Sequence, residues 1–379
     1  MTANIQFFVE GQNFELAPNC LRMTDFMVRS IPHDYRVTIK HTGFDSFLEE
    51  EMVESPKTLF LIDENVWKLY WGRTRQCPAN VYLFEALEEN KDISAVLDFI
   101  QFLQKNGMNK GGSLFVVGGG ITQDVGAFAG ACYKRGIPWT YVPTTLLSMC
   151  DSCIGGKTGI NNQGAKNQLA LFSAPLQVHA FLDSLITLPK QHMLAGLGEI
   201  LKLHAIGGEL LLDSYQKIVI DGKIPEPEHI HSLILGALHV KKAIIEVDEF
   251  EKNTRKVLNY GHTFGHALES ALNYSIPHGQ AVALGMIIAN QISCQHGVAN
   301  STYVDKINSL CFDLLRDIKI PVIEDHRLME LLTHDKKVFG KQLSLVVPGS
   351  MPGNWNFLKL PLEESLVTGV SDFLRDLVS

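Results

Sequence analysis

The chain lacks the features of several common protein classes. Its 33 Lys and Arg against 41 Asp and Glu give a net charge of −8 without a basic face, so no nucleic-acid partner is expected. No apolar run reaches the roughly 18–20 uncharged residues of a membrane helix, and the N-terminal residues lack a signal-peptide layout. The seven cysteines are odd in number, and the lone C-x-x-C of Cys150 and Cys153 is assigned to the core because no second pair accompanies it. We therefore predict a cytoplasmic globular protein with no membrane partner.

The order of patterns along the chain predicts two domains. Short β-branched runs alternate with helical patterns in the first half, which is typical of βαβ units around a parallel sheet. The runs are strands at 57–65, 113–120 and 137–145 and helices at 93–108 and 121–136. From about residue 189 the patterns are helical. We predict an α/β domain over 1–188, with 1–34 as an N-terminal extension, a mostly helical domain over 189–379, and an active site in the cleft between them.

A glycine turn ends one predicted strand and begins a helix. Gly118, Gly119 and Gly120 are followed by Asp124. Such glycines allow a pyrophosphate to approach the backbone, and the helix N-terminus supplies amide donors. The turn is not a GxGxxG fingerprint, so a dinucleotide site and a plain tight turn both remain open. Asp63 and Asn65 follow the preceding strand, where they fit either a nucleotide contact or an Asx turn.

Residues 143–168 combine cations, amides and glycines. Lysines beside glycines and amides suit the capture of a phosphate or carboxylate, and the alternative is an ordinary solvated loop. The segment lacks GxxxxGK[ST], which argues against a P-loop for nucleoside triphosphates. The polar candidates here are Thr144, Thr145, Asp151, Lys157, Lys166 and Asn167.

The most informative stretch is residues 255–286. At helical spacing Asn259, His262 and His266 project from one face of an amphipathic helix, and His278 follows after a proline. Imidazoles beside Arg255 and an amide indicate a metal and an anionic ligand, whereas the bland alternative is a polar helix face. Spacing alone would pair His262 with His266, although Thr263 breaks the HExxH pattern.

Several motifs in their order resemble the sugar phosphate cyclase family, most closely its 3-dehydroquinate synthase branch. They are VVGGGITQD, CYKRGIPWTYVPTTLLSMCDSCIGGKTGIN, AKNQLALF, LDSLITLP, GLGEILK and LNYGHTFGHALE with HGQAVALGM. The resemblance covers about residues 57–300, with an echo at HDKKVFG (334–340). It implies a dehydroquinate synthase-like fold, bound NAD+, one divalent Zn²⁺ or Co²⁺ ion, a small sugar phosphate substrate and a homodimer.

The resemblance also implies site residues. The implied metal ligands are Glu199, His262 and His278, which leaves His266 for the substrate. The other implied substrate contacts are Asp151, Lys157, Asn167, Lys202, Lys242, Arg255, Asn259 and Lys337, with Arg135 reaching the site of the neighbouring subunit. The implied NAD+ contacts are Asp63, Asn65, Glu88, Lys91, Gly119, Gly120, Ile121, Asp124, Thr144, Thr145, Leu147, Asp151, Lys166, Thr187 and Leu188.

The implied reaction converts 3-deoxy-arabino-heptulosonate 7-phosphate to 3-dehydroquinate with loss of phosphate, as a lyase of the shikimate pathway. Gln123 and Gln280 depart from the usual family residues, which leaves open a natural-product cyclase, either of the amino analogue or of sedoheptulose 7-phosphate. Arg255, Asn259 and His266 favour a carboxylate-bearing substrate. A glycerol dehydrogenase-like oxidoreductase is the rival class, but a neutral polyol needs no such cations. A non-catalytic relative is disfavoured because every implied metal ligand is present.

Overall fold

The computed structural model describes residues 4–17, 19–54, 57–72, 76–163, 165–272, 275–299, 301–320, 323–333, 338–339 and 342–377. The strands are β1 (Ile5–Val9), β2 (Gln12–Leu16), β3 (Asp25–Val28), β4 (Tyr35–Lys40), β5 (Thr58–Asp63), β6 (Val81–Phe84), β7 (Ser113–Gly118), β8 (Trp139–Pro143), β9 (Lys157–Asn162), β10 (Ala165–Phe172), β11 (Gln177–Phe181), β12 (Val338–Phe339), β13 (Gln342–Pro348) and β14 (Asn354–Pro361). The helices are α1 (Phe44–Glu54), α2 (Glu64–Tyr70), α3 (Ile93–Lys105), α4 (Gly120–Cys132), α5 (Lys190–Ile206), α6 (Glu209–Ile218), α7 (Pro227–Ile245), α8 (His262–Ala271), α9 (His278–Gln295), α10 (Ser301–Leu315), α11 (Asp325–Thr333) and α12 (Glu364–Asp376).

One compact unit, Arg22–Pro189, contains a seven-stranded sheet. Its strand order is β3-β4-β11-β8-β7-β5-β6, and every neighbouring pair is parallel except β3 with β4. The parallel strands read as continuous apolar runs because helices cover a doubly wound sheet on both faces. Phe60, Phe115 and Val142 are buried in an aromatic and aliphatic core cluster of this unit. The α/β fold class predicted from the sequence is confirmed.

The other compact unit consists of Met1–Leu21 and Lys190–Ser379. Helices α5 to α12 make it mostly helical, as predicted, but it also contains a five-stranded sheet of order β12-β13-β14-β1-β2. Strand β1 pairs in parallel with β14 and antiparallel with β2. The first 21 residues therefore belong with the helical unit, not with the α/β domain as predicted. Strands β1 and β14 come from opposite ends of the chain, and pairing between such distant segments leaves no local pattern in the sequence. This pairing was therefore not predicted.

Two further predictions concerned membrane-spanning helices and the pair Cys150 and Cys153. Among the described residues, none of the helices has the length and apolarity needed for a membrane span. Cys150 and Cys153 are buried free thiols, as expected for core residues.

Candidate active-site clusters

Glycines allow α5 and α9 to pack with their backbones in contact. A Cβ atom at Gly198 would lie 2.3 Å from the carbonyl oxygen of Gly279, and a Cβ at Gly279 would lie 1.9 Å from the carbonyl oxygen of Ala195. Real Cβ atoms do not approach an oxygen so closely, so neither position accepts a side chain without movement of a helix. The contact places Glu199, next to Gly198, beside His278, next to Gly279.

A second glycine contact fixes the start of α8. Gly261 has φ +77, and a Cβ at Gly285 on α9 would lie 1.9 Å from the Gly261 carbonyl oxygen. The left-handed Gly261 separates α8 from a short 3-10 helix over Thr254–Asn259. The single helix predicted for this stretch is therefore wrong, because Asn259 precedes the break and does not share a helix face with His262 and His266.

Three imidazoles meet at this junction and form, with one carboxylate, the histidine cluster (Glu199, His262, His266 and His278). One ring nitrogen from each histidine lies within 4.8 Å of the others. Glu199 Oε1 lies 3.6 Å from His262 Nε2 and 3.2 Å from His278 Nε2. A carboxylate with imidazole nitrogens is a donor set that suits zinc or cobalt. The cluster therefore fits a divalent metal, and it contains both the trio implied by the resemblance and the pair suggested by spacing.

The cluster is electrostatically suited to a cation. Burial lowers the pKa of His278, but hydrogen bonds and negative charge from Glu199 and Glu269 outweigh that effect and raise the pKa to about 10. Glu199 is 1% exposed and also pairs with the ammonium group of Lys202, which is 2% exposed. Since a metal ligand must give up its proton, an ion would replace the His278 proton as the positive charge between the carboxylates.

Sequence analysis did not identify Glu269. Its carboxylate oxygens lie 3.1 and 3.2 Å from His278 Nδ1. The available signal was its position, because His262, His266 and Glu269 follow the i, i+4, i+7 spacing of one helix face.

Buried cations and amides accompany the cluster in the same unit. Arg255 is 1% exposed, and its guanidinium donates to the carbonyl oxygen of Glu249. The Asp248 carboxylate accepts the Arg255 N–H at 3.0 Å, which holds the loop that carries the arginine. Asn259 Nδ2 donates to Glu251 Oε1 at 2.7 Å.

Two other lysines implied for the substrate, Lys242 and Lys337, belong to the part of the chain that follows residue 189. Lys242 Nζ lies 2.9 Å from Glu246 Oε1 on α7. Lys337 lies outside the described residues.

In the α/β unit, the predicted nucleotide residues gather where parallel strands end. β5 ends at Asp63 and β7 at Gly118, and the carboxyl ends of parallel strands share one sheet edge, where α/β folds bind ligands. Helix α4 begins there with Gly119 as its N-cap, and a Cβ at Gly119 would lie 3.0 Å from the methyl carbon of Thr145. Asp63 forms the Asx turn considered above as the alternative to a nucleotide contact, because its carboxylate accepts the N–H of Asn65 at 2.8 Å.

A buried lysine joins several predicted residues at this edge. Lys91 is 6% exposed, and its Nζ donates to Asp124 Oδ2 at 3.1 Å and to Asn167 Oδ1 at 2.8 Å. Glu88 Oε1 lies 3.7 Å from both Lys91 Nζ and Lys166 Nζ. Burial raises the pKa of Asp124, and Lys91 only partly opposes that shift. One network therefore joins Asn167, implied to contact the substrate, with four residues implied to contact NAD+, namely Glu88, Lys91, Asp124 and Lys166.

Asp151 lies in a five-residue π-helix, Ser148–Ser152, a conformation frequent at functional sites. Gln123 holds this segment: its Nε2 donates to the Ser152 carbonyl at 2.8 Å, and the Ser152 hydroxyl donates to its Oε1 at 2.6 Å. The other departure, Gln280, is 2% exposed and donates to the Leu314 carbonyl at 2.8 Å. Both glutamines have structural partners in this chain.

The remaining predicted residues also belong to the α/β unit. Thr187 Oγ1 lies 3.4 Å from the Tyr70 hydroxyl. Thr144 N donates to the Gly118 carbonyl at 3.0 Å. Exposed positions are Lys157 and Arg135, and partly buried ones are Ile121, Leu147 and Leu188.

Solved structures share this fold. 2-Deoxy-scyllo-inosose synthase, complexed with carbaglucose-6-phosphate, NAD+ and Co²⁺, matches with a TM-score of 0.79 at 23% identity, over 93% of this chain and 100% of that chain. The 2-epi-5-epi-valiolone synthase of Streptomyces hygroscopicus subsp. jinggangensis, with NAD+ and Zn²⁺ bound, matches with a TM-score of 0.76 at 19% identity, over 92% of this chain and 98% of that chain. At these identities the likeness establishes only the fold class, which this chain shares with both synthases.

Sequence comparison identifies the family within that class. Residues 81–195 match the 3-dehydroquinate synthase N-terminal model, and residues 196–338 match the C-terminal one. The 3-dehydroquinate synthase of Pelagibacter ubique is 36% identical over 316 residues, which cover 80% of this chain and 85% of that protein. The chain belongs to the 3-dehydroquinate synthase family, which confirms the resemblance found in its motifs.

Proposed function

We propose that this chain is an NAD- and metal-dependent lyase that converts 3-deoxy-arabino-heptulosonate 7-phosphate to 3-dehydroquinate with loss of phosphate. The observation that carries the proposal is a carboxylate–imidazole cluster in the same unit as the fully buried Arg255. Membership of the family and relatives named 3-dehydroquinate synthase support this reaction type.

Glu199, His262 and His278 would hold the metal. When bound, the ion supplies Lewis acidity that lowers the pKa of a substrate hydroxyl and polarises the corresponding ketone. His266, exposed at its position on α8, then remains available to contact the substrate. Lys202, paired with Glu199, would help to place a substrate oxygen next to that carboxylate.

The sheet edge of the α/β unit would hold NAD+, which supplies a reversible hydride acceptor so that one substrate hydroxyl is transiently a ketone. The backbone of the glycine turn and the N-terminus of α4 suit its pyrophosphate. Lys91 and Asp124 would bind and orient the cofactor through the network they share with Asn167.

The cations of the chain suit both ends of a seven-carbon acid phosphate. Arg255 would bind the carboxylate through its planar fork, and Lys157, Asn167, His266 and Lys337 would bind the phosphate. In the elimination, a phosphate oxygen of the substrate removes the proton next to the ketone while the carbon–oxygen bond to phosphate breaks. The lysines would stabilise the departing phosphate, and the reduced cofactor would supply the hydride that restores the hydroxyl before ring opening and aldol closure form the carbocycle.

The reaction is tested with purified protein, NAD+, Zn²⁺ or Co²⁺ and 3-deoxy-arabino-heptulosonate 7-phosphate. We expect release of inorganic phosphate together with 3-dehydroquinate and no net NADH. Turnover of only the amino analogue or of sedoheptulose 7-phosphate would move the chain to a natural-product branch. Steady accumulation of NADH with glycerol would favour a dehydrogenase.

The metal ligands are tested by two histidine variants. His278→Ala is expected to abolish metal retention, whereas His266→Ala is expected to retain the metal and lose rate, because only the former supplies a ligand. Metal content after gel filtration, measured by atomic emission, distinguishes them. The reverse pattern would overturn the assignment.

We also propose a homodimer in which Arg135 contributes to the site of the neighbouring subunit. Arg135 is exposed, and its φ of 63 lies in the left-handed region. The test mixes inactive Arg135→Ala with inactive Lys202→Met after dissociation and reassociation. One site in each mixed dimer would then be complete, which restores up to about a quarter of wild-type activity for a symmetric dimer. No recovery in mixed dimers would contradict a shared site.

A further inference from the structure

The imidazole of His278 lies between two carboxylates on opposite sides of the ring. Its Nε2 lies 3.2 Å from Glu199 Oε1, within the histidine cluster. Its Nδ1 lies 3.1 and 3.2 Å from the two oxygens of Glu269, which is 8% exposed. Each ring nitrogen thus has its own acidic partner.

We propose that Glu269 is a positioning residue for the metal site: it accepts the Nδ1–H of His278 and thereby directs Nε2 toward the ion. This inference deepens, and rests on, the proposed metal site. An imidazole that binds through Nε2 must carry its proton on Nδ1, and a carboxylate at Nδ1 fixes both that tautomer and the ring orientation. It also increases the basicity of the nitrogen that binds the metal.

The position of His278 explains why such a restraint is needed. His278 is the first residue of α9, and its side chain is 33% exposed, so surrounding side chains enclose it incompletely. The glycine contact at Gly279 fixes its backbone but leaves rotation about its side-chain bonds. The Glu269 carboxylate removes that remaining freedom.

Helix α8 supplies both sides of this arrangement. His262 in its first turn contributes a donor, and Glu269, two turns later on the same face, contributes the carboxylate. Because Gly265 packs closely on Val282 of α9, the helix that carries Glu269 is held against the one that carries His278. The two helices therefore specify the ligand and its orientation together.

Direct coordination by Glu269 does not fit this geometry. The two imidazole nitrogens point away from each other across the ring. A carboxylate in hydrogen-bond contact with Nδ1 is therefore on the far side of the ring from an ion bound to Nε2. Glu269 acts through His278 and not on the metal itself.

The test measures Zn²⁺ affinity by competition with a chromophoric chelator, and the Co²⁺ absorption spectrum, for Glu269→Gln, Glu269→Ala and wild type. Glu269→Ala is expected to weaken Zn²⁺ binding by about 10- to 100-fold, the usual effect of losing such a partner, and to alter the Co²⁺ bands as the ligand geometry relaxes. Glu269→Gln is expected to lose less, since an amide oxygen still accepts the Nδ1–H but without negative charge.

The matched control is Glu330→Gln, the same chemical change in a surface pair with Arg327 on α11. Its Zn²⁺ affinity and Co²⁺ spectrum are expected to equal those of wild type. Because glutamine fills the same volume as glutamate, a loss of Zn²⁺ affinity in Glu269→Gln relative to wild type reports the missing negative charge at Nδ1 and not a loss of packing.

Wild-type affinity and spectrum in Glu269→Ala would overturn the proposal, provided His278→Ala still loses the metal. If His278→Ala also retained wild-type affinity, the metal site itself would be wrong, so the two failures are distinguishable. Should Glu269→Ala not fold, the nearly isosteric Glu269→Gln decides: weaker binding supports the role of Glu269, and unchanged Zn²⁺ affinity overturns it.

Discussion

Substitution of Gly279 by alanine tests whether backbone contact between α5 and α9 builds the metal site. The added Cβ would lie 1.9 Å from the Ala195 carbonyl oxygen and 2.7 Å from its carbon. Carbon and oxygen atoms in close contact normally stay about 3.3 Å apart, so the helices must separate by about 1.4 Å at this point. The Ala195 Cα lies 2.9 Å away, so all three atoms that clash with the Cβ belong to the backbone and no side-chain rotation relieves the overlap.

That displacement is large compared with what a metal site tolerates. Glu199 and His278 are the residues adjacent to the contact, on opposite helices, and their donor atoms lie 3.2 Å apart. Metal–ligand distances must be kept within about 0.2 Å of their ideal values. We therefore expect Gly279→Ala to weaken Zn²⁺ binding by about 100-fold or more, and overpacking to reduce the free energy of unfolding by about 1–3 kcal/mol.

The assay combines Zn²⁺ competition with chemical unfolding of the metal-free protein. Gly369→Ala is the matched control, because Gly369 on α12 has no atom within 4 Å of its added Cβ. In that helix alanine is expected to raise the free energy of unfolding by about 0.5–1 kcal/mol and to leave metal affinity unchanged. A Gly279→Ala protein with wild-type affinity for Zn²⁺ would refute the reasoning, since the site would not depend on this contact.

Three further predictions concern the α/β unit. Gln123→Ala removes both hydrogen bonds to Ser152, so it should lower the free energy of unfolding by about 1–3 kcal/mol and weaken NAD+ binding. Unchanged NAD+ affinity by calorimetry would contradict a role of Gln123 in positioning the Ser148–Ser152 segment. Asp124→Asn removes the negative charge that faces the buried Lys91 ammonium, and it should lower the free energy of unfolding by about 2 kcal/mol. A second substitution, Lys91→Met, should partly restore that free energy in urea unfolding, and no restoration would contradict a stabilising ion pair. Burial, and then Lys40, lower the pKa of His179 from 6.5 to about 4, so its neutral form is favoured by folding. The free energy of unfolding should therefore be highest above pH 6.5 and fall by about 2 kcal/mol toward pH 4, as His179 takes up a proton in the unfolded chain. His179→Gln should show a smaller fall, and equal pH profiles of the two proteins would refute this prediction.

The sequence predicted the parts of the fold that depend on local pattern. The strands that became β5, β7 and β8 and helices α3 to α5 were recognisable from apolar periodicity and glycine turns. The break at Gly261 was missed because residues 255–271 keep helical spacing on both sides of it. Its cause is a left-handed residue packed on Met286 and Val282, a contact that only the folded chain creates.

For the site, the residue types were readable but their partners were not. Spacing singled out His262 and His266, and the family resemblance added Glu199, which lies 63 positions before His262 and thus outside any local pattern. Glu269 was overlooked because a single carboxylate at the end of a helical pattern is usually a solvated surface group. The role proposed for it comes from its contact with His278, which another helix supplies.

The pairing of β1 with β14 makes the helical unit discontinuous, with residues 22–189 inserted between its first strands and its helices. During synthesis the inserted α/β unit is complete long before β14 leaves the ribosome. The sheet that contains β1 and β2 can therefore form fully only after nearly the whole chain has been synthesised. A fragment that starts at residue 190 would lose the strand beside β14 and expose that edge to aggregation. Any attempt to express the unit with the proposed metal site alone would have to reconnect residues 1–21 to it through a designed linker.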